Sequence, residues 1–230
     1  MKLNLCCGAN VFHGWLNIDQ TDVEADYLRH LRDAPKAMQW PAAQQALVDR
    51  IGEIEFWRHD VRKGLPFADG SVDAIYVGQA IEHFNRRTEA PAFLRECCRV
   101  LRQYGVIKLT TPDLCKLVAA YGQHPRLIDA HSVVPERYSA YGLDGFSSEQ
   151  PAFYADALPE DQLSYLLFGA SGADCTSQNY EGHFHCYTPR SLGQLLMECG
   201  FDVRTKDSDE FTDTIDQGMS HSFAIEGVKP

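Results

Sequence analysis

Apolar positions along this chain fall into short uninterrupted runs near both ends and into spaced stripes between them. KLNLCC, residues 2–7, is a mostly apolar run that stops at Gly8, the pattern of a buried strand entering a turn. Trp15–Asp19 is a second short run and ends in an acid. Residues 23–51 mix apolar and charged positions at roughly helical spacing, with breaks at Pro35 and Pro41. Pro41 suits the first position of a helix over 41–51. Glu53–Asp60 reads as a third strand, and Lys63–Gly70 as a loop with turn chemistry at Pro66 and Asp69-Gly70. Val72–Val77 is a continuous apolar run, hence a buried strand.

The strongest helical stripe lies at 91–104. Phe93, Cys97 and Leu101 recur every four residues, Leu94 and Cys98 widen the stripe, and Gly105 suits a left-handed helix end. Val106–Thr110 is the next strand, stopped by Pro112. Further on, Thr188 and Pro189 predict a helix cap and first turn, Leu192, Leu195, Leu196 and Cys199 the buried stripe, and Gly200 the end. Phe201–Thr205 and His221–Val228 read as two final strands. Strand and helix alternate on both flanks, which argues an α/β fold with a mainly parallel sheet. Residues 113–187 break the alternation; rich in Tyr, Gly, Ser and His and poor in core stripes, they read as an insertion. The chain is thus expected to be a single domain over 1–230, with 113–187 as a lid or acceptor-binding region.

Charge narrows the field. Lys and Arg number 21 against 32 Asp and Glu, a formal charge of −11, with no basic run to neutralise a phosphate backbone; nucleic acid is not expected as a partner. No apolar run reaches the roughly 18 residues of a membrane span, and the N-terminus has no signal-peptide core, so a cytoplasmic protein without a membrane partner is expected. The eight Cys include no CxxC and read as reduced, small apolar residues.

Open α/β sheets bind ligands at the carboxyl ends of their strands. Cys7-Gly8-Ala9-Asn10 follows the first strand, Asp19 closes the second, Asp60-Val61 follow the third, Gly78-Gln79 the fourth with Glu82 and His83 beyond, and Thr111-Pro112-Asp113 the fifth. A small residue after strand one lets backbone approach a ligand, and an acid after strand two can accept from ribose hydroxyls. Neither GxxxxGK[ST] nor GxGxxG occurs, so an adenosine ligand without a pyrophosphate is favoured. His183-Phe184-His185-Cys186-Tyr187, taken with Cys175, matches no common zinc spacing, and no metal is expected.

These segments together resemble the class I S-adenosylmethionine-dependent methyltransferases, in particular a small-molecule type with the pattern LNLGCG…GWxNID, then D…LPFxDxSxD…EH, then L.E..RVL.xGG. Here they read LNLCCG…GWLNID over 3–19, HDVRKGLPFADGSVDAIYVGQAIEH over 59–83 and LRECCRVLRQYG over 94–105, with TPRSLGQLLMECGF over 188–201 resembling the last helix and strand. The resemblance implies a Rossmann-like, doubly wound sheet with a C-terminal antiparallel strand and a long insertion after strand five. It implies S-adenosylmethionine as cofactor, methyl transfer to a small-molecule acceptor, and a cofactor site of Asn4, Cys6, Gly8, Asp19, Asp60, Val61, Gly78 and Gln79. Asp19 would hold the ribose, Asp60 and the Val61 amide the adenine, and Gly8 the methionine part. His83 falls where the family often has a His near the methyl site. His183 and His185, anchored just before the chain rejoins the sheet, complete the expected catalytic set.

Departures are visible too. Asn4 stands where most of these enzymes have Asp, and Cys6 where they usually have Gly, putting a side chain where backbone and cofactor come close. With Asn10 in place of a further Gly, they keep a non-catalytic scaffold as the alternative. Only 11 residues separate Gly8 from Asp19, too few for a full first helix.

Overall fold

The computed structural model describes residues 1–8, 10–21, 54–123, 183–204, 211 and 222–230. The helix expected over 41–51, residue Cys175 and the body of the insertion, 124–182, lie outside them. The described strands are β1 (Lys2–Leu5), β2 (Leu16–Asp19), β3 (Glu55–Arg58), β4 (Val72–Gly78), β5 (Leu101–Pro112), β6 (Asp202–Arg204) and β7 (Ser222–Val228). The helices are α1 (Glu89–Val100), α2 (Leu114–Gln123) and α3 (Pro189–Glu198). One sheet takes the order β3-β2-β1-β4-β5-β7-β6. Neighbours are parallel from β3 to β5, and β7 runs antiparallel to both β5 and β6. This is the expected mainly parallel sheet with an antiparallel C-terminal strand. The order reverses between β1 and β4, so a crevice opens at their carboxyl ends.

The two faces of β4 show why the sheet is layered. Ile75 and Val77 join Leu3, Leu5, Ile107 and Leu109 in a core shared with Phe93, Leu94, Cys97 and Val100 of α1 and Leu192, Leu195 and Leu196 of α3. Ala74 and Tyr76 turn to the opposite face and pack with Phe12, Trp15 and Phe211. A strand buried on both faces reads as a continuous apolar run, as Val72–Val77 does. α3 starts as predicted: the Ser191 amide donates to Thr188 Oγ1 (3.1 Å), the Thr188 amide donates to Ser191 Oγ (2.9 Å), and Pro189 follows the cap. Gly200 ends it at φ 96°.

Two local expectations are corrected. The helix predicted over 91–104 stops at Val100, and Leu101 already begins β5. Leu101 is fully buried in either case, so its place in the stripe did not reveal the change of element. Val72 pairs with Leu101 and Ala74 with Val106, so residues 102–105 loop out of the ladder. Gly105 is not the left-handed helix end; Tyr104 takes the positive φ of 61°. Gly105 is required by space, because a Cβ there would meet the Arg102 carbonyl at 2.9 Å. Glu82 and His83 lie in a single 3-10 turn, Ile81–His83, and the next helix begins at Glu89.

No helix joins β1 to β2 among the described residues, as the short spacing requires. Two buried asparagines hold this connection instead. Asn4 Nδ2 donates to the Asn10 carbonyl (2.6 Å) and to Asn17 Oδ1 (2.8 Å), and Asn17 Oδ1 also accepts from the Phe12 amide (2.8 Å). A second bracket joins two of the sequence motifs. The Leu65 amide donates to Glu96 Oε2 (3.1 Å), while Arg99 donates to the carbonyls of Leu65 (2.8 Å) and Phe67 (2.9 Å). The Glu and Arg of the α1 motif therefore fasten the Leu-Pro-Phe loop to α1.

The insertion leaves and re-enters the fold at one place. Asp113 and Tyr187 form a parallel bridge, and the Leu114 amide donates to the Tyr187 carbonyl (2.9 Å). Among the described residues, no helix is long and apolar enough to cross a membrane.

Candidate active site

The carboxyl ends of β1 to β5 bring most of the expected residues to one edge. Cys6 follows β1 and takes φ 53°, and Gly8 takes φ 49°. Two left-handed positions in three residues turn the backbone sharply as it leaves the sheet. Among the described residues, nothing lies within 4 Å of where a Gly8 Cβ would stand, so the space above this turn is open. The Gly8 amide donates to Asp19 Oδ2 (3.0 Å), tying the ends of β1 and β2 together. Asp19 Oδ1 accepts from the Thr21 amide (3.1 Å) and hydroxyl (3.2 Å).

Cys6 does not crowd the turn as the sequence suggested. Its side chain packs against the sheet–helix core. Burial raises its thiol well above the usual range, and the charges of Asp19, Asp60 and Glu82 add to the rise. The strain of Cys6 lies in its backbone, which is where Gly would relieve it.

Asp60 caps the 3-10 turn Val61–Lys63. Its Oδ1 accepts from the Arg62 amide (3.1 Å) and from Arg62 Nε (2.8 Å). Burial works against its charged form, but these bonds outweigh it and hold the carboxyl below the usual range. Arg62 also donates to Gln20 Oε1, linking the ends of β2 and β3. Val61 is buried behind Asp60.

Gly78, at the end of β4, has no room for a side chain: a Cβ there would meet the Tyr76 ring at 2.7 Å. Gln79 takes φ 50°. Its side chain reaches Ser222 Oγ (3.2 Å) and Thr110 Oγ1 (3.4 Å), so it braces β5 and β7. Asn4, as described above, is 1% exposed and spends its amide on the β1–β2 connection.

The histidines divide. His83 and His183 meet edge to face with ring centroids 4.9 Å apart. The His185 ring packs on Tyr187 (4.6 Å); burial and nearby Arg86 favour its neutral form. Backbone bonds fix this corner, since the amides of Phe184 (2.8 Å) and His185 (3.2 Å) both donate to the Glu82 carbonyl. Glu82, which the sequence set beside His83 without a role, is the residue that the structure adds. It is 1% exposed, accepts from Thr111 Oγ1 (2.9 Å), and burial pushes its carboxyl up to about 7. Only the neighbouring His83 hinted at it in the sequence; its burial depends on the return of the chain at 183–187.

Residues 3–109 match the family model described as a methyltransferase domain. Over that stretch, a little under half of the chain, the sequence resembles a methyltransferase domain. A comparison with curated proteins finds no match. Among solved structures, a Pyrococcus horikoshii OT3 protein resembles this chain with a TM-score of 0.51 at 16% identity, covering 100% of this chain and 81% of its own. That likeness is one of fold. A SAM-dependent methyltransferase from Methanosarcina mazei gives a TM-score of 0.49 at 16% identity, covering 99% of this chain and 91% of its own.

Proposed function

We propose that the protein transfers a methyl group from S-adenosylmethionine to a nucleophile of a small molecule. The observation that supports this reading most is the sheet edge itself: an open left-handed turn at Gly8, the Asp19 carboxylate bonded to it, and Asp60 one strand further out. These fit a nucleoside that lies across the ends of β1, β2 and β3. Asp19 is the ribose acceptor, since a carboxylate can take two hydroxyls at once. Asp60, kept ionised by Arg62, accepts from the adenine amino group, with the Val61 amide beside it. Cys6 and Gly8 pass the methionine part with their backbone. Gly78 and the Gln79 backbone line the crevice from β4; the Gln79 side chain is engaged elsewhere.

S-adenosylmethionine supplies a methyl carbon on a sulfonium that becomes neutral on transfer. The protein's task is therefore to align the acceptor and, where the acceptor must ionise, to manage its proton. Glu82, His83 and His183 at the end of β4 do this, and His185 stands beside them against Tyr187. The insertion over 113–187 supplies the rest of the acceptor pocket; the Asp113–Tyr187 bridge, which roots it at this edge, supports that reading. Titration calorimetry with S-adenosylhomocysteine tests the cofactor assignment. Binding at micromolar concentration is the expected result, and no heat at millimolar ligand would remove the basis of this function. A screen of metabolite pools with labelled cofactor then identifies the acceptor.

A further inference from the structure

Glu82, His83 and His183 each offer one ligand atom, and these atoms lie within 4.8 Å of one another. Three features distinguish the cluster from a chance meeting of polar side chains. The carboxylate is 1% exposed, yet among the described residues no Lys or Arg pairs with it. A buried carboxylate without a cation is costly unless it takes up a proton or meets a positive charge. Its orientation is set by Thr111 Oγ1 at 2.9 Å, the outer-shell partner that ligating carboxylates characteristically have. The backbone of the 183–185 segment is bonded to the Glu82 carbonyl through two amides, so the second histidine is delivered by the fold.

We propose that Glu82, His83 and His183 bind a first-row divalent cation of the zinc type, with a coordination position left for an oxygen or nitrogen of the methyl acceptor. Two imidazoles and one carboxylate match the borderline-soft preference of such ions and leave the site open, as in catalytic metal sites. Metal–ligand bonds of about 2.0–2.2 Å would draw the three atoms to roughly 3.3 Å apart. The present spacing of up to 4.8 Å therefore has to shorten on binding, which the side-chain torsions of the rings and carboxyl permit in principle. The acceptor role rests on the function proposed above; the site itself rests on the cluster. A coordinated hydroxyl loses its proton more readily, so His83 and His183 act as ligands and the cation supplies the acidity. The management of the acceptor's proton assigned above to Glu82, His83 and His183 then runs through the cation they hold.

Cobalt(II) is the probe, because its absorption separates nitrogen and oxygen ligands from thiolate, which matters in a chain with eight Cys. After removal of bound metal with EDTA, the full chain is titrated with Co2+. One equivalent with visible ligand-field bands and no thiolate charge-transfer band is the expected result. His83→Gln and His183→Gln should each weaken Co2+ binding at least 100-fold, and Thr111→Val roughly tenfold. Saturation by S-adenosylhomocysteine checks that each variant is folded, and Thr111→Val covers the case in which a histidine variant is not. Absence of Co2+ binding, a thiolate band, or equal binding in all three variants would overturn the site and leave Glu82 a protonated carboxyl. Co2+ bound as expected in a protein that ignores S-adenosylhomocysteine would instead refute the methyltransferase reading and keep the metal site.

Discussion

Asp19→Ala separates the binding role of this carboxylate from its structural one. Among the described residues Asp19 accepts three hydrogen bonds, from the Gly8 amide, the Thr21 amide and the Thr21 hydroxyl, at 3.0, 3.1 and 3.2 Å. All three donors are near the surface, so water takes over much of each bond after truncation. The expected cost to folding is about 1 kcal/mol, which for a chain of this size lowers Tm by about 2–4 °C. Binding is different. A carboxylate that accepts two ribose hydroxyls makes charge-assisted bonds of about 1.5–3 kcal/mol each, and non-additivity trims their sum to about 3–4 kcal/mol. At 1.4 kcal/mol per tenfold, the Kd for S-adenosylhomocysteine should rise roughly 100- to 1,000-fold. A carboxylate has about four acceptor positions, so one incoming hydroxyl displaces the hydroxyl of Thr21, its longest bond. Thr21→Val should accordingly bind as well as the parent or slightly better. Calorimetry for affinity and thermal unfolding of the free protein are measured on the same samples. If Asp19→Ala binds within threefold of the parent while its Tm falls, Asp19 is a loop fastener only and the ribose assignment is wrong.

Three further outcomes are expected. Cys6→Gly should leave S-adenosylhomocysteine affinity within about threefold, because the thiol packs on the core; relief of the left-handed backbone, about 1–2 kcal/mol, offsets lost packing, and urea unfolding should give a midpoint near that of the parent. Gly78→Ala should destabilise by about 1–3 kcal/mol in the same assay, because its Cβ meets the fully buried Tyr76 ring; a parent-like midpoint would show that the ring can yield. Arg99→Met removes the donors to the Leu65 and Phe67 carbonyls and should cost about 1–2 kcal/mol, with faster amide exchange confined first to residues 65–69; uniform exchange would refute the bracket.

Much of the fold was legible because its central strands β1, β4 and β5 are largely buried and its turns carry Gly, Pro and Asp. The α3 helix was readable to its cap, since Thr188, Pro189, the leucine stripe and Gly200 all carry local signals. The end of α1 was not. Leu101 continues the helical stripe in sequence and stays buried as the first residue of a strand, so periodicity cannot separate the two. The positive φ at Tyr104 went unread for the same reason, because Gly105 is the residue that ordinarily marks it. In the site, Asp19, Asp60 and Gly8 could be placed by counting strand ends. The split between Gln79 backbone and side chain could not, because Ser222 lies far off in sequence. The cluster of Glu82 with His183 was hidden for a similar reason: a zinc spacing search looks along the chain, and residues 183–185 reach Glu82 only in the folded chain, through the bonds of the Phe184 and His185 amides to its carbonyl.

That bridge also bears on how this architecture can change over time. The chain departs at Leu114 and returns at Tyr187 with the two backbones a single hydrogen bond apart, at 2.9 Å. Whatever is spliced between such paired ends need not disturb the seven strands beneath. Lengthening or replacing it costs the sheet little beyond closure entropy, about 0.6 kcal/mol for each doubling of length. Under the function proposed above, nucleoside recognition by the strand ends and acceptor choice by the segment between these paired ends could then change independently. Chimaeras that keep Asp113–Leu117 and His183–Tyr187 and import a foreign segment between them should retain the sheet while acquiring a new acceptor range.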